Sequence, residues 1–189
     1  MIRAFVFAVM LLAASPAVAQ QYSAVVMDAR TNEILHNDDM YESRQPASLT
    51  KMMTLYMLFD ALESEEITLT TRWAASRNAT RQPPTRLGLR CTRRGVCDTV
   101  TVDQAIHALV VQSANDVATL VAEHLGGSEA RFAARMTQQA RDLGMANTTF
   151  GNASGLPSAA NRTTAYDMAL LSIALWRDFP EYYHYFSVE

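Results

Sequence analysis

A serine and a lysine stand three residues apart at the start of an apolar helical pattern, in the stretch Pro46-Ala-Ser-Leu-Thr-Lys51. Residues at i and i+3 lie on one face of a helix, so the Ser48 hydroxyl can meet the Lys51 amine. The apolar stripe that follows predicts a helix over 47–63 and directs Lys51 toward the core. Because burial disfavours an ammonium, we expect the pKa of Lys51 to fall toward neutrality.

This pair has two interpretations. A neutral amine beside a hydroxyl is a nucleophile with its general base in place. Alternatively, Ser48 is an ordinary helix cap, and the Lys51 ammonium reaches solvent along its aliphatic stem. Lys51 is the only lysine in the chain, which sets this position apart from the arginines that carry the remaining cationic charge.

The composition is that of a globular chain. Of its 189 residues, 49% are apolar and 19% are charged, which suits a single domain with a buried core. The formal net charge of −3 gives no basic stripe, so we expect no nucleic-acid partner. Five arginines and two prolines lie within 81–94. A phosphate-binding patch is one interpretation of that segment, and a solvent-exposed loop is the favoured one.

The first nineteen residues match a secretory signal peptide. Arg3 gives a positive start, Ala4–Ala14 is an unbroken apolar run, and Ala17-Val-Ala19 fits the small-residue cleavage pattern. The apolar run is too short to span a bilayer. We therefore predict cleavage after Ala19, export to the periplasm, and a catalytic domain over 20–189.

The two cysteines, Cys91 and Cys97, lie close together in the basic segment. In an oxidising compartment they can close a small disulfide ring, which we favour over two free thiols. No histidine lies near them, so we expect no metal site.

Periodicity and capping residues predict a mainly helical chain with one β-hairpin and no other strand. The hairpin pairs 23–28 with 33–36. Besides the helix that carries Ser48, a capping box of Thr101 and Gln104 predicts a helix at about 102–111, and a second helix follows at about 116–125. Ser128 caps one more helix, and Thr164 and Asp167 open the last, at 166–176.

Three motifs accompany the serine and lysine. Gln-Ser113-Ala-Asn115-Asp connects two predicted helices, and Asn147-Thr-Thr-Phe and Gly155-Leu-Pro lie in a polar loop. With these motifs the chain resembles, over nearly all of 21–189, the serine-type D-Ala-D-Ala carboxypeptidases, which are low-molecular-weight penicillin-binding proteins related to the serine β-lactamases. The resemblance implies an α+β fold of the DD-peptidase type, with a helical cluster and an antiparallel sheet.

The resemblance also implies a mechanism that needs neither a metal nor an organic cofactor. Ser48 would attack the D-Ala-D-Ala peptide carbonyl, Lys51 would be the general base, and Ser113 would help pass the proton to the departing D-alanine. Asn115 would hydrogen-bond Lys51 and the stem peptide of the substrate. The implied partners are peptidoglycan stem peptides and β-lactam antibiotics, which would acylate the same serine.

The chain also departs from the family pattern. No lysine follows Lys51, so the Lys-Thr-Gly motif and its strand are missing, and we expect a truncated chain with an incomplete sheet. The loop from Arg90 to Cys97 looks longer than in the family and has no assigned role. Peripheral membrane association through a tail after Glu189 stays open.

A carboxypeptidase has three alternatives. A β-lactamase is disfavoured because the loop over 147–161 has no acidic residue to activate a deacylating water. A peptidoglycan DD-endopeptidase of the same superfamily remains an alternative, as does an inactive fragment that only binds peptidoglycan.

Overall fold

The protein is described by a computed structural model that covers residues 22–187. The predicted signal peptide over 1–19 lies outside the described residues. Helices and short strands are mixed along the chain, as an α+β fold requires. No helix within the described range is long and apolar enough to cross a membrane. The helices are α1 (Thr50–Glu63), α2 (Val102–Val111), α3 (Asn115–Gly126), α4 (Glu129–Asp142) and α5 (Ala165–Asp178); the strands are β1 (Ala24–Met27), β2 (Ile34–Asp38), β3 (Arg72–Ala74) and β4 (Thr99–Thr101).

The strands form two separate antiparallel pairs. β1 pairs with β2, which confirms the predicted hairpin. β3 pairs with β4, so the expectation of no further strand is wrong. Each of these two strands has three residues, which is too short to show an alternating pattern. Arg72 pairs with Thr101, and the Arg72 guanidinium donates to the Thr99 hydroxyl 27 positions away. The two strands are therefore not joined by a local turn that the sequence could reveal.

Helix α1 lies at the centre of the core. It is buried nearly all round, and Met53, Leu58 and Phe59 have no exposed surface, as expected of a helix that other elements surround. It contacts α2, α3, α4 and α5. The predicted helix over 47–63 is confirmed, although its first turn, Ala47–Leu49, is a 3₁₀ turn. The surrounding helices therefore hold the start of α1 in a fixed position.

Side-chain caps begin three helices where the sequence predicted them. The Thr101 hydroxyl accepts from the Gln104 backbone N–H, and the Thr101 backbone N–H donates to the Gln104 side-chain oxygen, which forms a capping box. Ser128 caps α4 and Thr164 caps α5. Because each cap uses contacts within one turn of helix, the local sequence was enough to predict it.

The arginine-rich loop is closed by the Cys91–Cys97 disulfide, the favoured one of the two interpretations. Its side chains are mostly exposed, as predicted, but Leu89 is buried. The loop is therefore anchored to the core at that point.

Candidate active site

Ser48 and Lys51 lie side by side at the start of α1. Lys51 Nζ is 3.5 Å from Ser48 Oγ and donates a 2.7 Å hydrogen bond to the Ser154 carbonyl. Lys51 is only 3% exposed, so the interpretation in which its ammonium reaches solvent is wrong. This desolvation lowers the pKa of Lys51 to about 8, as the sequence predicted. Ser48, by contrast, is solvent-exposed and accessible to a substrate.

The loop over 152–157 packs directly on this end of α1. Thr54 Oγ1 donates a 2.7 Å hydrogen bond to the Ala153 carbonyl, one residue before the carbonyl that holds Lys51. Gly155 adopts φ +81°, and a Cβ at this position would overlap the Ala47 carbonyl. Only glycine allows the two backbones to approach so closely. The loop thereby seals the amine from water.

Ser113 and Asn115 lie across the cleft, where α3 begins. The N-cap of α3 is Ala114 and no side chain caps the helix, so neither Ser113 nor Asn115 acts as its cap. Ser113 Oγ is buried and has no hydrogen-bond partner within residues 22–187. The Asn115 amide donates a 3.0 Å hydrogen bond to the Pro83 carbonyl.

The hydrogen bond from Asn115 to Lys51, which the resemblance implied, is not formed. Lys51 donates instead toward Ser48 and the Ser154 carbonyl, and the Asn115 amide is held by Pro83. Backbone carbonyls of two loops thus accept from the Lys51 amine and from the Asn115 amide.

Two residues of the site have a left-handed backbone conformation, which residues other than glycine rarely adopt. Ala47 has φ 46° and Ser113 has φ 53°. Each such residue costs roughly 1 kcal/mol or more, and strained backbone of this kind concentrates at functional sites. Each directly precedes or carries a motif serine.

Ser48 and Asn115 face a common cavity of about 280 Å³. Lys51 and the Ser113 hydroxyl are not in its lining, and Lys51 is reached through Ser48. A larger apolar groove of about 1040 Å³ lies between β1 and α5, but it contains no pair of a nucleophile and a base. The cavity lining is Ala47, Ser48, Pro84, Thr85, Asn115, Ser154, Gly155, Leu156 and Pro157.

Residues 83–89, named the wall segment, were not predicted from the sequence to be part of the site. Pro84 and Thr85 of this segment line the cavity. The Asn115 backbone N–H donates to the Thr85 carbonyl at 2.8 Å, and Thr85 Oγ1 donates to the Ser113 carbonyl at 2.8 Å. The adjacent prolines predicted an irregular loop, but no local pattern showed that this loop faces the turn at Ser113.

Metal chemistry has no evident ligand set in the part of the chain that is described. No group of three or more histidine, cysteine, aspartate or glutamate side chains there could hold an ion. The chemistry available at the cleft is that of a hydroxyl, an amine and backbone amides.

Comparisons with known proteins agree with these motifs. The family model for peptidase S11, D-alanyl-D-alanine carboxypeptidase, matches residues 11–189. D-alanyl-D-alanine carboxypeptidase DacC of Escherichia coli is 35% identical over 161 residues, which are 84% of this chain and 40% of that protein. The crystal structure of DacD from Francisella tularensis matches with a TM-score of 0.82 and 32% identity, over 95% of this chain and 43% of that one.

A third match was solved with an antibiotic in place. Penicillin-binding protein D2 of Listeria monocytogenes, in its ampicillin-bound form, has a TM-score of 0.73 and 29% identity, over 84% of this chain and 63% of that one. The chain spans about two fifths of the length of the curated relatives it matches.

Proposed function

The chain belongs to the peptidase S11 family of D-alanyl-D-alanine carboxypeptidases, and from that premise we propose that it removes the terminal D-alanine from peptidoglycan stem peptides through an acyl-enzyme on Ser48. The observation that carries the proposal is the contact between an exposed serine hydroxyl and a buried lysine amine, at 3.5 Å. The pKa of Lys51 of about 8 supplies the base that such a serine needs.

The lowered pKa matters for the rate. With a pKa of about 8, about one Lys51 side chain in ten is neutral at pH 7, compared with about one in three thousand at the ordinary value of 10.5. Burial therefore raises the population of the competent base roughly 300-fold. Within residues 22–187 no carboxylate forms an ion pair that would hold the proton on this amine.

In the proposed reaction, Ser48 Oγ attacks the carbonyl carbon of the D-Ala–D-Ala bond and its proton passes to Lys51 Nζ. The tetrahedral intermediate collapses, the C–N bond breaks, and the departing D-alanine nitrogen takes up a proton. Ser113 relays that proton, a role supported by its buried hydroxyl without a partner among the described residues. Water then hydrolyses the Ser48 ester and restores the hydroxyl.

Asn115 has a binding role in this proposal. Asn115 lines the cavity beside Ser48, and the bond to the Pro83 carbonyl fixes the orientation of its side-chain amide. A side-chain amide held in this orientation can form a hydrogen bond of defined direction with the backbone of a stem peptide. Penicillins acylate Ser48 in the same pocket, which the ampicillin-bound relative supports.

The proposed place of action is the periplasm. The predicted signal peptide supports it, and the peptidoglycan substrate lies outside the cytoplasmic membrane. Mass spectrometry of exported protein should find Gln20 as the mature N-terminus, and an intact Met1 would contradict this.

The function is tested by two assays on the same preparations. The first measures D-alanine released from a peptide that ends in D-Ala-D-Ala, with a cross-linked muropeptide dimer as the endopeptidase substrate. The second measures covalent labelling by a fluorescent penicillin. Ser48→Ala should abolish both signals, whereas the exposed Ser43→Ala should leave both unchanged.

Three outcomes decide between the alternatives. Release of D-alanine with no cleavage of the dimer supports the carboxypeptidase. Cleavage of the dimer alone would replace it with the endopeptidase. A folded wild-type chain that neither releases D-alanine nor takes the label would show that the proposed function is wrong.

A further inference from the structure

Asp116 is a fully buried carboxylate in the turn that follows the motif serine and asparagine. No ion pair to Asp116 is formed within residues 22–187. Its two oxygens instead accept hydrogen bonds from four backbone N–H groups. One is Val117 of its own helix, at 3.0 Å; the other three are consecutive, Leu87 at 2.9 Å, Gly88 at 2.8 Å and Leu89 at 3.0 Å. Successive amides that converge in this way form a cradle for an anion.

Gly88 makes the cradle possible. Its φ is +92°, a backbone conformation that turns neighbouring N–H groups to one side and that residues with a Cβ rarely adopt. Hydrogen bonds to a charged acceptor are stronger than neutral ones. Three such hydrogen bonds to one buried carboxylate fix the C-terminal end of the wall segment, residues 87–89, against α3.

The N-terminal end of the wall segment, residues 83–85, is hydrogen-bonded to the same turn. The Pro83 carbonyl accepts from the Asn115 side-chain amide, and the Thr85 carbonyl accepts from the Asn115 backbone N–H. The Thr85 hydroxyl donates to the Ser113 carbonyl. Hydrogen bonds thus join residues 83–89 to residues 113–116 at both ends of the wall segment, and Pro84 and Thr85 of that segment line the cavity in front of Ser48.

We propose that Asp116 is a positioning residue for the reaction: its carboxylate holds the wall segment, and through it sets the width of the cleft and the placement of Ser113 and Asn115. This inference rests on the proposed function. Asp116 itself does not line the cavity, so its effect is transmitted through the wall segment.

A second explanation has to be separated from this one. Asp116 lies in the first turn of α3, where a negative charge stabilises any helix through its dipole. In that case the loss of the charge would lower stability without altering substrate handling, and any acid at the position would serve. Asp116→Asn keeps the length and removes the charge, whereas Asp116→Glu keeps the charge and displaces the carboxylate by one methylene.

The positioning role predicts that both variants raise KM for a D-Ala-D-Ala peptide and lower kcat/KM by about ten- to a hundredfold, the range that small misplacements of bound groups cost. An asparagine can accept with one oxygen only, so at least one cradle N–H loses its partner. Asp103→Asn is the control for a lost first-turn acid, because Asp103 holds the same place in α2.

A second pair of variants leaves Asp116 and its helix intact. Gly88→Ala strains the cradle, since φ is +92° there, without a clash, because no atom lies within 4 Å of the added Cβ. Gly95→Ala is its matched control in the same loop: φ is +85°, the surroundings are equally open, and its N–H donates to the Thr92 carbonyl, not to Asp116. We expect Gly88→Ala to raise KM and Gly95→Ala to leave it unchanged.

Hydrogen exchange of the wall amides supplies a measurement that does not depend on turnover. Asp116→Asn should speed exchange at Leu87, Gly88 and Leu89 well beyond the change that Asp103→Asn causes there. Faster exchange together with the KM rise supports the positioning role. Unchanged kinetics in folded Asp116→Asn, full recovery by Asp116→Glu, or equal effects of the two glycine variants would overturn it.

The two proposals fail in different ways. If the wild-type chain releases no D-alanine, the proposed function is wrong and the exchange comparison alone decides the role of Asp116. Unchanged exchange at the three amides then overturns the cradle, and faster exchange supports it.

Discussion

Acylation of Ser48 should rise with pH as Lys51 loses its proton. Burial lowers the pKa of Lys51 to about 8, so the neutral fraction grows about fiftyfold between pH 6 and pH 8 and levels off above about pH 9. The second-order rate constant for labelling by a penicillin, measured across this range, should follow the same curve. A labelling rate constant that inflects near pH 10 would refute the view that desolvation sets the pKa of the base.

The same burial has a consequence for stability, with the sign fixed by linkage. The folded pKa lies below the unfolded value of 10.5, so below pH 8 both states hold the proton and the folded state bears the ammonium at a cost of roughly 3 kcal/mol. Between pH 8 and 10.5 the unfolded chain binds more protons, so the free energy of unfolding gained from this group rises with pH.

One resonance reports this titration directly. Lys51 is the only lysine, so lysine labelled with ¹³C at Cε gives a single signal whose shift follows the charge of the amine. A midpoint near 8 in the folded protein and near 10.5 in denaturant is expected. A folded midpoint above 10 would show that the amine is hydrated, and the stability argument would fail with it.

Three further predictions concern the contacts around this amine. Gly155→Ala should lower the free energy of unfolding by about 2 kcal/mol or more and abolish penicillin labelling, because the new Cβ collides with the Ala47 carbonyl; urea unfolding that matches the wild type would contradict the close approach. Thr54→Val should cost about 1–3 kcal/mol, since the Ala153 carbonyl loses its buried donor, and thermal melts measure the loss. Lys51→Arg should retain the fold by circular dichroism but lose acylation, because a guanidinium is no base near neutral pH; normal labelling would place the base elsewhere.

The sequence predicted the parts of the site that depend on local geometry. The contact between Ser48 and Lys51 was predicted correctly because their spacing is fixed within one helical turn. The apolar pattern after them predicted that the Lys51 side chain is buried. The cap at Thr101 was recognised for the same reason, since its partner is three residues away. Such features are encoded within a few residues of chain.

The missed parts depend on distant segments. The carbonyl that holds Lys51 belongs to Ser154, 103 positions later, and no periodicity could indicate it. The cradle around Asp116 is formed by amides 27 to 29 positions earlier. Backbone groups carry no sequence signature, so a site completed by them is visible only in three dimensions.

The separation between Lys51 and Ser154 also bears on the order of events as the chain folds. A contact between distant positions carries the entropic cost of closing the intervening loop. Helix α1 can bring Ser48 and Lys51 together early, but until the loop over 152–157 covers the amine, Lys51 is hydrated and stays protonated near pH 7. The reactivity of Ser48 thus depends on a contact made 103 positions away in the chain, and a cut or displacement of the 152–157 loop would leave the serine without a working base.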